Sequence, residues 1–270
     1  MSEQPRASEV RIDWRAMLEG SDTRLQRMRG LFRHIPAAPR CKFCSAPYHG
    51  VGGRLMRLID RQPWEKNPNY CRFCFRTLEA NHGGAEIDVS MLFADVRGST
   101  GLAEKMSATD FRRLMNRFYD TASRLLIDHD AIVDKFVGDE VVGIFIPGLA
   151  GQGHPRNAID AARALLRETG HGEADGPWIP VGAGVHTGTA YVGSVGEGDV
   201  TDFTALGDAV NVTARLASAA GAGEILVTTD AATAAGFAGN GLEQRHLELR
   251  GHSAPVDVIV LTEGRGPTAA

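Results

Sequence analysis

A chain of 270 residues has room for one large domain or two unequal ones, and its 43% apolar and 23% charged content argues against a disordered or fibrous protein. No run approaches the roughly 18 apolar residues of a membrane span, and the polar start MSEQPRASEVRIDW lacks the apolar stretch of a secretion signal, so a cytoplasmic protein is expected. The net charge of −4 conceals an asymmetry: residues 1–80 hold 15 Lys and Arg against 8 Asp and Glu, and the rest hold 14 against 25. A basic front module and an acidic back module follow.

Residues 8–35 have helical spacing, with Ile12, Met17, Leu18, Leu25, Met28 and Phe32 as apolar positions. Gly20-Ser21-Asp22 divides them into two helices, the second capped by Ser21 or Asp22 and stopped by Pro36 and Pro39. Leu25, Met28 and Phe32 share one face, a stripe that suits packing on a neighbour or a dimer mate.

All four cysteines follow, as CKFC (41–44) and CRFC (71–74), with 26 residues between them. Two Cys-x-x-Cys units can bring Cys41, Cys44, Cys71 and Cys74 to the corners of one tetrahedron, as a structural Zn²⁺ requires. An iron–sulfur cluster or a bare dithiol uses the same ligands, and spacing does not separate zinc from iron. A reducing cytoplasm disfavours disulfides. Between the pairs lie Gly50, Gly52 and Gly53 and then an apolar-basic segment, RLMRLIDR. His34, His49 and His82 are nearby and read as surface residues. The expected division is a helical segment over 1–38, a four-cysteine module over 39–80, a linker over 81–84, a main domain over 85–263 and a disordered tail over 264–270.

In the main domain Ile87, Val89, Met91 and Phe93 alternate with polar residues, the period of a strand. Asp95 shares their parity. A carboxylate pointing where a core points must be hydrogen-bonded or hold a cation, although capping the helix that begins near Ser99 is a simpler role. Gly98, Ser99 and Thr100 lead into that helix, where free N–H groups cradle phosphate or are merely capped. Residues 108–128 form the clearest helix, with Phe111, Leu114, Met115, Phe118 and Leu125 on its buried stripe. Ile132–Val137 and Val141–Ile146 flank Gly138-Asp139-Glu140, a hairpin signal with Asp139 exposed at the tip. Two strand-end aspartates side by side would make an oxygen-rich site for Mg²⁺ or Mn²⁺.

A helix over 155–169 comes next, then two strands within 179–196 that contain a structural His186. Asp208 is expected to cap a helix that presents Asn211 and Arg215, four apart, on one face; a solvated polar face is the plain alternative. A strand over 225–229, a small Ala-rich helix and two or three late strands ending at 256–261 complete an α/β or α+β sandwich.

The segments LFADVRGST (92–100), DKFVGDE (134–140), VGAGVHTGTAYVGSVG (181–196), TALGDAVNVTARLAS (204–218) and LELRG (247–251) occur in this order. With them the chain, from about residue 84 to 263, resembles the class III nucleotidyl cyclases, which make cyclic AMP or cyclic GMP. The resemblance implies that Asp95 and Asp139, helped by the Val96 carbonyl, hold two Mg²⁺ or Mn²⁺ ions. It implies that Asn211 orients the ribose, that Arg215 stabilises charge at the α-phosphate, and that Arg250 contacts the triphosphate. Lys135 stands where adenine-using members carry Lys; its plain alternative is a strand-surface lysine. Thr204 departs from the commoner Asp but matches a Thr-type subclass of adenylyl cyclases, members of which often respond to bicarbonate. Together these favour ATP, in a head-to-tail homodimer regulated by the cysteine module. A guanylyl cyclase and a catalytically silent nucleotide-binding dimer are the alternatives. The basic front raises nucleic acid as a partner, but no recognition helix with finger spacing accompanies it.

Overall fold

The computed structural model describes residues 13–35, 39–65, 67–80, 83–196, 202–237, 241–249 and 255–263, without the side chains at 78–80, 135 and 137. His82, Arg250 and the expected tail over 264–270 lie outside the described residues. The alternating run around Ile87 builds strand β1 (Gly84–Val96), which pairs antiparallel with β3 (Glu140–Phe145) on one edge and β4 (Val181–Val195) on the other. Eight strands form one sheet, in the order β2 (Ile132–Val137), β3, β1, β4, β6 (Glu224–Thr228), β8 (Val256–Thr262) and β7 (Glu243–Leu247), while β5 (Asp202–Leu206) pairs with β4. Among the described strand pairs only β4–β6 is parallel.

Both faces of β1 are covered. Its odd residues Ile87, Val89, Met91 and Phe93 join a core with Leu25, Phe32, Phe43 and Met56 from the front of the chain. Its even residues Leu92, Ala94 and Val96 join a second core with α6 (Ala108–Asp128) and with α8 (His154–Glu168), which follows the short α7 (Pro147–Ala150). Helix–sheet–helix layering of this kind is the expected mixed α+β sandwich.

The front opens with α1 (Trp14–Glu19) and α2 (Thr23–Phe32), parted by Gly20 in the left-handed region at φ 79°. Asp22 caps α2, accepting from the Leu25 N–H at 2.7 Å. Helices α3 (Gly50–Arg57) and α4 (Arg72–Ala80) follow, each bordering one cysteine pair.

Three expectations need correction. Residues 181–195 form one long strand rather than two, because the glycines make room instead of breaking it. A Cβ on Gly184 would stand 2.5 Å from the Ala217 nitrogen, so glycine lets α9 (Asp208–Ala219) lie close on the sheet. Gly207, not Asp208, occupies the cap position of α9, and Asp208 is its first helical residue, where its charge favours the helix dipole. Asp139 is half-buried rather than exposed, since the hairpin folds against the end of β1. The chain then closes through α10 (Thr229–Ala234) and two late strands. Among the described residues no helix is long and apolar enough to cross a membrane.

Candidate functional site

The end of β1 and the β2–β3 hairpin meet at a cluster of carboxylates. Gly138, at φ 63°, turns the hairpin so that the Asp139 carbonyl accepts from the Val96 N–H at 3.2 Å. Register places Glu140 opposite Asp95, and the Asp95 and Asp139 carboxyls come within hydrogen-bonding reach. Arg97 pairs with Asp95 and also donates to the Ser218 carbonyl at 3.0 Å, tying the loop after β1 to the end of α9. Burial raises Asp95 above the usual carboxylate range; Arg97 opposes the rise and Asp139 adds to it. Glu140 is pushed up to about 7, by burial first and then by Asp95 and Asp139. The close pair Asp95 and Asp139, with Glu140 near enough to feel both charges, offers oxygen donors of the kind a hard divalent cation takes, and such an ion would relieve their repulsion.

A second group lies around β5. The Thr204 hydroxyl, 5% exposed, donates to Asp134 Oδ2 at 2.8 Å. Both line a cavity of about 200 Å³ walled by Met91, Phe93, Val142 and Ile144 on the sheet and Val210 on α9. It is mostly apolar, with Asp134, Glu140 and Thr204 as polar lining residues, the composition of a small-molecule pocket. Lys135 sits next to Asp134 on β2; its side chain lies outside the described residues, as does Arg250.

On α9 Asn211 is exposed and Arg215 half-buried. No described hydrogen bond or ion pair links either to Asp95 or Asp139. Gly98, at φ 68°, precedes α5 (Ser99–Lys105), a helix without a side-chain cap; Ser99 is half-buried and Thr100 exposed. Thus Asp95, Val96 and Asp139 stand together and Thr204 lies in the cavity, while Asn211 and Arg215 share α9.

The family described as "Adenylate and Guanylate cyclase catalytic domain" matches residues 84–257. The chain belongs to that family. Over 137 residues it is 30% identical to an adenylate cyclase of Anabaena cylindrica, a match covering 47% of this chain and 26% of that protein. Over 148 residues it is 30% identical to adenylate cyclase 1 of Rhizobium meliloti, covering 52% and 22%. The chain therefore spans about a quarter of the length of these curated relatives. Among solved structures, the adenylyl cyclase CyaB from P. aeruginosa superposes with a TM-score of 0.59 at 26% identity, covering 69% of this chain and all of that one (100%). The guanylyl cyclase Cya2 has the same fold, with a TM-score of 0.60 at 24% identity over 68% and 96%.

The family match begins after the four cysteines, which the cyclase chain gathers in front of its sheet. Cys41, Cys44, Cys71 and Cys74 are all buried, and their sulfurs lie within 4.8 Å of one another. Ser45, in the left-handed region at φ 60°, closes the first knuckle, whose Cys41 N–H donates to the Ala46 carbonyl at 3.0 Å. The Cys71 N–H points at Cys41 Sγ, 3.3 Å away. Burial opposes ionisation of Cys41, but its three sulfur neighbours bring its pKa well below the usual thiol range. Buried, convergent thiols of this kind fit a metal. His34 and His49 are exposed, as expected of surface residues.

Four residues escaped sequence reasoning. Glu140 and Asp134 matter through cross-strand and inter-element contacts, which neighbours in sequence do not reveal. Arg97 had a signal, standing two residues after Asp95. Arg61, buried against Cys44, was hidden inside an apolar-basic segment.

Proposed function

We propose that this chain is a cytoplasmic adenylyl cyclase that converts ATP to 3′,5′-cyclic AMP and pyrophosphate at the interface of a head-to-tail homodimer. The observation that carries the reading is the convergence of Asp95 and Asp139 at the hairpin, with Glu140 beside them. Domain boundaries at 39–80 for the cysteine module and 85–263 for the catalytic unit belong to the same reading.

The ribose 3′-oxygen attacks the α-phosphorus as pyrophosphate leaves in line. Asp95, Asp139 and the Val96 carbonyl would hold two Mg²⁺ or Mn²⁺ ions, which activate the hydroxyl and neutralise phosphate charge when bound. Asn211 orients the ribose, and Arg215 stabilises charge as it develops at the α-phosphate. Arg250 and the N–H groups at Gly98, Ser99 and Thr100 hold the triphosphate. Thr204, fixed by Asp134, and Lys135 read the adenine in the cavity. One chain carries all of these groups, so a head-to-tail homodimer gives two equivalent sites.

The four cysteines bind a metal, zinc or an iron–sulfur cluster, and the module regulates the catalytic unit. In support, the module grips the joint between α6 and β2. Lys42, inside the first knuckle, pairs with Asp130 at 2.6 Å. Asn67 donates to the Ala131 carbonyl at 3.0 Å, and Asn69 to the Ile127 carbonyl. Asp134, Lys135 and Asp139 all lie on the strand and turn that leave this joint.

The test is purified protein with Mn²⁺ and either ATP or GTP. Cyclic AMP from ATP, lost in a folded dimeric Asp95→Ala variant, is expected. Cyclic GMP alone would replace the substrate assignment, and no product from either would favour a silent nucleotide-binding dimer.

A further inference from the structure

The four-cysteine centre carries more information than its ligand count. The Cys44–Cys71 and Cys41–Cys74 sulfurs are 3.8 Å and 4.0 Å apart, and no pair exceeds 4.8 Å. A tetrahedral ion with metal–sulfur bonds of about 2.3 Å sets its ligands about 3.8 Å apart, the edge of the tetrahedron. A four-iron cluster puts each thiolate outside its own corner, so its four sulfurs stand more than about 6 Å apart. A two-iron cluster keeps each pair close but separates the pairs by more than about 5 Å. The observed cage fits one ion.

Its surroundings are equally specific. Arg61 is 7% exposed, and its guanidinium donates to Cys44 Sγ at 3.2 Å. The same group lies over the Phe73 ring at 4.2 Å and the Phe32 ring at 5.2 Å. Its other described side-chain contact is to Met28 Sδ at 3.4 Å, and no carboxylate among the described residues pairs with it. A cation buried among two aromatic rings and a thioether is costly unless an anion lies beside it. The sulfurs are the anion within reach. The Tyr48 hydroxyl, buried with no nitrogen or oxygen partner among the described residues, faces Cys41 in the same cage.

We propose that Cys41, Cys44, Cys71 and Cys74 bind a single tetrahedral divalent ion of the zinc class as a tetrathiolate dianion, with Arg61 as its buried counter-cation. The inference rests on the reading above that these cysteines hold metal, and it decides against the cluster. Binding releases the thiol protons to solvent, leaving a net charge of −2 that Arg61 half neutralises. Arg61 ligates nothing; it acts from outside the sulfur shell and positions Cys44.

Metal and acid-labile sulfide are to be counted per chain in protein purified without oxygen. One zinc-class divalent ion and no sulfide is expected. Two or four irons with matching sulfide would overturn the inference while leaving metal binding intact. Protein without metal that also refuses Co²⁺ would overturn the metal reading itself. The counter-cation is tested on Co²⁺-loaded protein, whose thiolate charge-transfer bands report ligation, by titration with a chelator. Arg61→Met should loosen the ion about 10- to 100-fold, the usual effect of losing a partner outside the ligand shell. Arg61→Lys should recover part of that loss. Equal retention in wild type and Arg61→Met would remove Arg61 from the assignment. If Arg61→Met does not fold, the metal count and the Arg61→Lys titration still decide.

Discussion

The two ends of this chain make sites by opposite rules. The front gathers four sulfurs from two short knuckles into a buried cage that is complete within one chain. The sheet instead leaves its chemistry divided: Asp95 and Asp139 at one end of the hairpin, Asn211 and Arg215 on α9 with no described link to them. A closed ligand set suits an ion that stays and holds structure, whereas a divided, half-buried one suits an ion and substrate that come and go. On the function proposed above, the front would supply stability and a gap between two subunits the turnover.

The division can be broken most directly by mixing inactive chains. Asp95→Ala and Arg215→Ala homodimers are each expected to lose at least about 100-fold in kcat, the scale of losing one charge-stabilising donor. If each site takes its aspartates from one chain and its arginine from the other, a mixed dimer regains one intact site. Equal mixing should then restore about a quarter of wild-type turnover. Cyclic nucleotide formation against mixing ratio is the measurement, and a mixture as dead as its parents would put both groups of residues in the same chain's site.

How much of this was readable in advance differs between the two regions for a physical reason. The cysteine pairs announce themselves because their ligands come two at a time from local turns. Asp95 was visible because strand parity aimed it with Ile87, Val89, Met91 and Phe93, and Asp139 because a glycine marked the turn. Parity was only half informative, however: Leu92, Ala94 and Val96 are buried too, since helices cover both faces of β1. Glu140 and Asp134 acquire their roles through register and through β5, relations between elements far apart in sequence. Residues 179–196 read in sequence as two strands because the single length of β4 is set by its partners β1 and β5, which its own residues do not reveal. The grip of Asn67 and Asn69 on the α6–β2 joint likewise needs the fold before it has meaning.

If the front is a structural staple, stripping it should cost more than any single contact it makes. Structural zinc contributes roughly 10–16 kcal/mol in apparent terms to small domains, so chelation or Cys44→Ser should unfold the module. The buried residues of the knuckles share one core with β1, so the thermal midpoint should fall and proteolysis should begin within 39–80. Unchanged melting after complete metal removal would contradict the contrast between the two sites. Asn67→Ala is the smaller version. Asn67 is 1% exposed, and its loss leaves the Ala131 carbonyl without its donor, a cost of about 1–3 kcal/mol. Chelator affinity should hold while turnover drops with the loosened joint; turnover equal to wild type would disconnect the module from the hairpin.

The smallest expected effect is a pH dependence that belongs to the sheet and not to the cage. His154, 6% exposed at the start of α8, shares a hydrogen bond with Ser90 Oγ at 2.8 Å, and burial lowers its pKa from the ordinary 6.5 although Asp88 pulls the other way. His171 is also lowered by burial, and its Nε2 accepts from the Val181 N–H at 3.0 Å, which a protonated ring could not do. Both imidazoles are therefore neutral in the folded chain over a range where the unfolded chain has begun to protonate them. Below 6.5 the unfolded state binds more protons, so stability is fully present above that value and declines as pH falls toward the folded pKa values. Each group contributes at most about 1.4 kcal/mol per pKa unit of its depression. The raised Asp95 and Glu140 carboxyls take up protons in the folded state and add stability over the same range, so the readout is a difference: from about pH 8 to about pH 5 the urea midpoint of wild type should drop relative to that of His171→Gln once pH is below 6.5. Comparing the two proteins cancels whatever the thiolates contribute on acidification. A variant whose midpoint falls as steeply as wild type would show that His171 protonates equally in both states, and so is not held neutral by the sheet.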